Sequence, residues 1–206
     1  MAPVSSEFTP SWFTLDVTVL RQHLLDLFCQ VAYQEGEFVL SSGQTSSYYI
    51  NSKPVTLHPQ GAVAVGRLLL QEIPTDTEAV AGLTLGADPI VSSVSVVSVY
   101  EERAIAALIV RKEAKGHGTR AYIEGPSLAP GSPVVVLEDV VTTGQSAMKA
   151  VDRLRAVGYR VDRAIALVDR QQGGAQFYQS EGLTFQSLFT ISDLQQRYQQ
   201  LRTQND

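Results

Sequence analysis

Val134-Val135-Val136-Leu137-Glu138-Asp139-Val140-Val141-Thr142-Thr143-Gly144-Gln145-Ser146 runs from an unbroken apolar stretch, through two acids, into a small hydroxyl-rich turn. Residues 133–137 predict a strand buried on both faces, ending in Glu138-Asp139. Ala147, Val151, Leu154 and Val157 then recur at helical spacing, and Gly158 closes the helix. A helix that begins directly after a strand offers its free N–H groups at the turn. With the hydroxyls and glycine of 142–146 they make a nest for a dianionic phosphate without a lysine. Glu138 and Asp139 sit just above it, where adjacent carboxylates can accept hydrogen bonds from vicinal sugar hydroxyls or hold Mg²⁺. Separately, an acidic strand end and a capped helix are ordinary. As one string they describe a site for a ribose 5-phosphate.

Outward from this string the pattern keeps alternating. From Asp16, the residues Leu20, Leu24, Leu27, Phe28 and Val31 predict a helix ending near Tyr33, with Gly36 as its breaker. Residues 38–40 and 48–50 read as strands of a hairpin around Ser41-Ser42-Gly43-Gln44. Pro59 opens a helix through Ala62, Val65, Leu69 and Ile73. Residues 79–85 form a strand, Gly86-Ala87-Asp88-Pro89 a turn, and 104–110 a second strand. Between them the valines of 90–100 favour a strand, but Ser92, Ser95 and Ser98 repeat every third position and select a helix. Residues 111–120 are a polar basic loop, 121–123 a short strand-like piece and 161–168 another strand. Strands alternating with helices imply right-handed crossovers and a mainly parallel sheet, with ligands beyond the carboxyl ends of its strands. The 206 residues are expected to make a single domain, with residues 1–14 loosely ordered.

Composition excludes several other chemistries. A net charge of -5 disfavours nucleic acid as a partner. Cys29 is the one cysteine, so no internal disulfide and no cysteine-based zinc site can form. The apolar run 104–110 falls far short of the roughly 18 residues a membrane helix needs. The first basic residue is Arg21, against a secretory or transit signal, so a cytoplasmic location is expected. No Walker lysine loop, Cys-x-x-Cys, His-Glu-x-x-His or Gly-x-Ser-x-Gly is present, and His23, His58 and Cys29 are assigned nothing.

A second signal is Arg111-Lys112-Glu113-Ala114-Lys115-Gly116-His117-Gly118. Cationic and proton-carrying side chains crowd into it, and the two glycines flanking the histidine let the backbone change its angles, as a lid must. Lys and Arg groups folded over a diphosphate would stabilise the charge that grows as an anomeric C–O bond breaks. A third is Val168-Asp169-Arg170, which ends the next strand at the same rim of the sheet and sets a guanidinium where a planar anion could be held.

The string 134–146 resembles the phosphoribosyl-pyrophosphate (PRPP) motif of the type I phosphoribosyltransferases. Arg-Lys-Glu-Ala-Lys-x-His-Gly is similar to the catalytic loop of one branch of them, the orotate phosphoribosyltransferases. Ser41-Ser42-Gly43-Gln44-Thr45-Ser46-Ser47-Tyr48-Tyr49 resembles the family's N-terminal hood, here about residues 15–55, and Gly82-Leu83-Thr84-Leu85-Gly86-Ala87-Asp88-Pro89 its pyrophosphate turn. Tyr48 and Tyr49 read equally as plain strand residues. The resemblance implies the type I phosphoribosyltransferase α/β fold, with a mainly parallel central sheet flanked by helices and a small hood.

The same resemblance implies transfer of ribose 5-phosphate from PRPP to orotate, with Mg²⁺ carried by PRPP and no metal ligand assigned in the protein. It assigns catalysis to Lys115, His117 and Asp139. PRPP binding falls to Arg111, Lys112, Lys115, His117, Glu138, Asp139, Val140, Val141, Thr142, Thr143, Gly144, Gln145 and Ser146. Orotate contacts fall to Thr142, Arg170 and Tyr49. It further implies a homodimer with shared sites. Some family members carry lysines at the places held here by Ser41 and Gly86, so those contacts must be absent or replaced. Two other readings stay open: a related transferase acting on a purine or uracil, and an RNA-binding regulator on the same fold, which would need a basic face.

Overall fold

The computed structural model describes residues 10–39, 43, 45–114 and 122–203. The chain begins with a 3-10 turn Pro10–Phe13, α1 Val17–Val31, β1 Tyr33–Val39, β2 Thr45–Ile50, α2 Lys53–Thr56 and α3 Pro59–Glu72. Next come β3 Ala79–Leu83, α4 Asp88–Tyr100, β4 Ala106–Val110 and β5 Ile123–Glu124. The chain finishes with β6 Pro133–Val141, α5 Gln145–Ala156, β7 Arg160–Asp169, α6 Gly174–Ser180, β8 Thr184–Thr190 and α7 Ile191–Thr203. Among the described residues the main sheet has the order β5-β4-β3-β6-β7-β8, and only β5 runs antiparallel to its neighbour. β1 and β2 pair antiparallel as a separate small sheet.

Alternate residues of the central strands feed two cores, which is why these strands read as continuous apolar runs. Val80, Val135, Leu137, Ile165 and Leu167 pack with Leu20, Leu69, Ile90 and Leu194 of α1, α3, α4 and α7. Ala79, Ala81, Val134, Val136, Ala164 and Ala166 face the other way, onto Ala147, Val151 and Leu154 of α5 and Tyr178 of α6. β3 is extended outward by β4, and β6 by β7, so their carboxyl ends diverge at a switch point where a crevice opens. Among the described residues no helix is long and apolar enough to cross a membrane.

The structure departs from the sequence reading in several places. Gly36 does not break α1, which stops at Val31; it lies inside β1, where the register to β2 shifts between Glu35 and Phe38. Of the segment expected to be loose, Trp12 is tied down: the Arg67 guanidinium donates to the carbonyls of Trp12 and Leu15, and Trp12 packs on the core. Residues 1–9 lie outside the described residues. β3 stops at Leu83, β4 starts at Ala106, and the short piece near 121–123 is Ile123–Glu124, pairing antiparallel with β4. β6 runs through both acids to Val141 rather than ending at them. The stretch 90–100 is helical despite its valines: the hydroxyls of Ser92, Ser93 and Ser98 donate to carbonyls of the preceding turn, and Pro89 sits in the first turn.

α3 and α4 approach closely at Gly66, where an added Cβ would lie 2.7 Å from the Ser93 carbonyl oxygen and from Val97 Cγ2. Gly66→Ala is expected to cost about 1–3 kcal/mol, read in a thermal melt as a fall of about 2–4 °C for each kcal/mol lost. An unchanged melt would show that the two helices separate without cost.

Candidate functional site

The strand β6 continues to pair with β7 to its last residue, through Glu138 with Ala166 and Val141 with Asp169. Arg170 then donates its backbone N–H to the Val141 carbonyl at 2.9 Å, which fixes the strand tip. Thr142 and Thr143 follow, and Gly144 turns the chain at φ 86° into α5. Only glycine takes that angle without strain, and its Cα rests on an aromatic floor: a Cβ there would lie 2.9 Å from the Tyr178 and Phe177 rings. The first N–H groups of α5 therefore open onto a cleft of about 80 Å³ lined by Glu138, Val140, Val141, Thr142, Thr143, Gly144, Gln145, Ser146 and Tyr178. The strand tip and the turn 142–146 are one continuous surface.

The two acids have different surroundings. Glu138 is 9% exposed, and its Oε2 has no hydrogen-bond partner among the described residues. Burial first, and then the Asp139 charge beside it, push its carboxyl well above the ordinary range, against a smaller opposing pull from Lys112. Asp139 is half-buried and accepts a 2.5 Å hydrogen bond on Oδ2 from Ser52, a serine 2% exposed at the head of α2. On its other side lies Gly86, where any Cβ would sit 2.7 Å from Asp139 Oδ1. In the same turn the Thr84 hydroxyl donates to Asp88 at 2.7 Å, and the Thr84-Leu85 peptide is cis.

At the opposite corner Arg170 donates from Nε to the Tyr48 hydroxyl at 3.1 Å, and its guanidinium lies 4.8 Å from the centre of that ring. Gln172 also donates to the Tyr48 hydroxyl. Residues alternate along β2, so Tyr48 faces inward and is 8% exposed, while Tyr49 is 43% exposed beside Phe38. The structure thus brings Tyr48, and not Tyr49, against Arg170.

Of the basic loop, the root is described. Arg111 pairs with Glu124 at 3.1 Å, and the Arg153 guanidinium donates to the carbonyls of Arg111 and Lys112 while covering the Tyr122 ring at 4.0 Å. A cleft of about 370 Å³ opens between this root and the pyrophosphate turn, lined by Thr84, Arg111, Lys112, Glu113 and Glu124. Lys115, His117 and the hood residue Ser41 lie outside the described residues.

Glu138, Asp139, the turn 142–146, Arg170 and the loop root therefore meet at one rim. Ser52, Tyr178 and Arg153 belong to the same rim and have no pattern that singles them out; Tyr48 belongs to it too and is not told apart from Tyr49 by the motif. Tyr48 could have been found from the period of two, since it shares a face with Ile50, which packs on the core. Ser52, Tyr178 and Arg153 carry no local signal, because each arrives from a distant element. Among the described residues no three His, Cys, Asp or Glu side chains gather into a metal cage.

No family model matches the chain. It is 76% identical over 188 residues to a Nostoc protein named orotate phosphoribosyltransferase, covering 91% of each. A Synechocystis protein of the same name is 69% identical over 187 residues, covering 91% of this chain and 94% of that one. Among solved structures, the Mycobacterium tuberculosis orotate phosphoribosyltransferase in complex with PRPP superposes with a TM-score of 0.70 at 35% identity, over 85% of this chain and 98% of that chain.

Glu138 sets a pH dependence on stability. A carboxyl raised in the folded chain keeps its proton longer there than in the unfolded chain, so stability falls as pH rises from about 4.3 toward the raised value. Glu138→Gln removes that slope. The variant is expected to melt higher than the parent at neutral pH, with the difference closing toward pH of about 4. A parent that melts higher at neutral pH would show the carboxylate ionised and stabilised in the free protein.

Proposed function

The chain belongs to the orotate phosphoribosyltransferase family, and from that membership we propose how its residues divide the reaction. The reaction joins N1 of orotate to the anomeric carbon of PRPP and releases pyrophosphate. Its product is orotidine 5′-monophosphate, in pyrimidine synthesis. The observation that carries the residue assignment is the continuous surface from Glu138 to the N-terminus of α5, with Asp139 next to it on the strand, at the switch point of the sheet.

In this reading Thr142, Thr143, Gly144, Gln145 and Ser146 hold the 5-phosphate, by backbone N–H groups and hydroxyls. Val140 and Val141 set the height of the strand tip. Glu138 and Asp139 accept from the ribose hydroxyls. Arg170 meets the orotate carboxylate beside Thr142, with Tyr48 holding its guanidinium, and Tyr49 acts from the outer face of the hood hairpin. Arg111, Lys112, Lys115 and His117 close on the diphosphate, which brings Mg²⁺ with it as further neutralising charge.

The anomeric C–O bond breaks ahead of C–N bond formation, through an oxocarbenium-like state, and its electron pair leaves with the diphosphate oxygen. Lys115 or His117 supplies a proton or a positive charge to that oxygen. Orotate N1 then bonds to the anomeric carbon. Positioning and charge do most of this work, so no strong base is required.

The reading includes a single working unit, a homodimer in which the lid of one subunit serves the site of the other, and a cytoplasmic setting. Support for the dimer comes from α4, where Val96, Val99 and Tyr100 are 60%, 66% and 69% exposed and share an apolar face that a second copy would cover. A net charge of -5 fits a small-molecule enzyme better than a binder of nucleic acid.

Incubation with orotate, PRPP and Mg²⁺ tests the activity directly: orotate absorbance falls, and omission of PRPP stops the fall. Lys115→Ala and Asp139→Asn should each lower turnover by on the order of 10²-fold. Mixed after subunit exchange, the two inactive proteins should recover part of the activity, because one site in the hybrid dimer is intact. No recovery after verified exchange would place each site within one chain.

A further inference from the structure

Tyr178 is an anomaly in the floor of the nest. It is fully buried, it lines the cleft beneath Gly144, and its hydroxyl has no hydrogen-bond partner among the described residues. Glu138 Oε2 lines the same cleft and is likewise unpartnered among the described residues. Buried polar atoms are rarely left so, because an unmade hydrogen bond forfeits the whole cost of desolvating the group. A donor and an acceptor are therefore both unused, one on α6 and one on β6, at the place where a sugar phosphate would enter.

We infer that Tyr178 is a positioning residue for the sugar end of PRPP: once the ligand is seated, its hydroxyl donates to Glu138 Oε2 and holds that carboxylate as an acceptor for a ribose hydroxyl. The inference rests on the reading of Glu138 as a sugar contact. The groups facing the pair are few. Of the charges felt at the Tyr178 hydroxyl, Glu138 comes first and Asp169 second, while Glu138 itself is faced by Asp139 and, from the lid root, by Lys112. Burial and those two carboxylates keep the phenol protonated, so it can act only as a neutral donor or acceptor. The aromatic ring has a separate duty, supporting Gly144, and Phe would perform it equally well.

That separation makes Tyr178→Phe a clean test. Dissociation constants for PRPP with Mg²⁺ and for inorganic phosphate alone are measured by calorimetry, beside a thermal melt of the free protein. The expected result is PRPP binding weaker by about tenfold, phosphate binding unchanged, and a melting temperature equal to or above the parent's. Equal losses for PRPP and phosphate would mean a distorted loop and would overturn the inference, as would unchanged PRPP binding. Glu138→Gln, measured in parallel, separates the two levels of the argument. Weaker PRPP binding in Glu138→Gln with none in Tyr178→Phe sinks only the role of Tyr178. No effect in Glu138→Gln sinks the sugar contact itself.

Discussion

A strand buried on both faces can end only where its last carbonyls and amides find partners, and β6 meets that condition in a way that creates the site. Its ladder to β7 persists through Val141, and the Arg170 amide takes the Val141 carbonyl. The chain then has to turn at once into α5, over a floor already filled by Phe177 and Tyr178, so the residue at the turn needs both a positive φ and no side chain. Gly144 satisfies both requirements. The same arrangement brings Arg170 beside Thr142, because the amide that caps the strand tip belongs to the arginine. The turn 142–146 and the guanidinium are thus placed by one hydrogen bond.

Charge is distributed to suit a polyanionic substrate on an acidic protein. The turn 142–146 contains no cation, so in the proposed reading the 5-phosphate is met by backbone dipoles, which need no counterion in the free state. The cationic side chains of the sequence fall instead in the segment 111–117, whose root is held by the Arg111 pair with Glu124 and by Arg153. Glu138 and Asp139 would repel each other if both were ionised and dry. The structure separates their circumstances: Asp139 is wetter and held by Ser52, while Glu138 is buried and shifted toward its protonated form. Sugar hydroxyls donating into the pair would favour the ionised form of Glu138, linking its charge to occupancy of the site.

Local pattern carried most of the α/β alternation and the whole string 134–146, because buried strands and helix starts are encoded within a few residues. Where the reading failed, the deciding contacts were remote. Nothing near Trp12 announces that Arg67 will hold its carbonyl, and Gly36 looks like a helix terminator until β2 pairs across it. Residues 174–203, with α6, β8 and α7, carry no decisive local pattern, although Leu188, Ile191 and Leu194 help close one core. Tyr48 and Tyr49 were indistinguishable in isolation. The register of β2 separates them, sending one to Arg170 and the other toward Phe38.

The absent lysine of the pyrophosphate turn has a local explanation. A Cβ at position 86 would lie 2.7 Å from Asp139 Oδ1 and 2.9 Å from Oδ2, closer than a real side chain tolerates. Any residue larger than glycine therefore requires Asp139 to swing away, and the 2.5 Å hydrogen bond from Ser52 resists that movement. Gly86 and Ser52 are consequently two halves of one solution, in which the turn closes tightly on the carboxylate instead of reaching past it with a cation. A lysine placed at 86 would bring a cation into the turn only by displacing the carboxylate that the proposed reading gives to the sugar. In the proposed reading the positive charge comes from outside the turn, and the segment that follows β4 carries the residues to supply it.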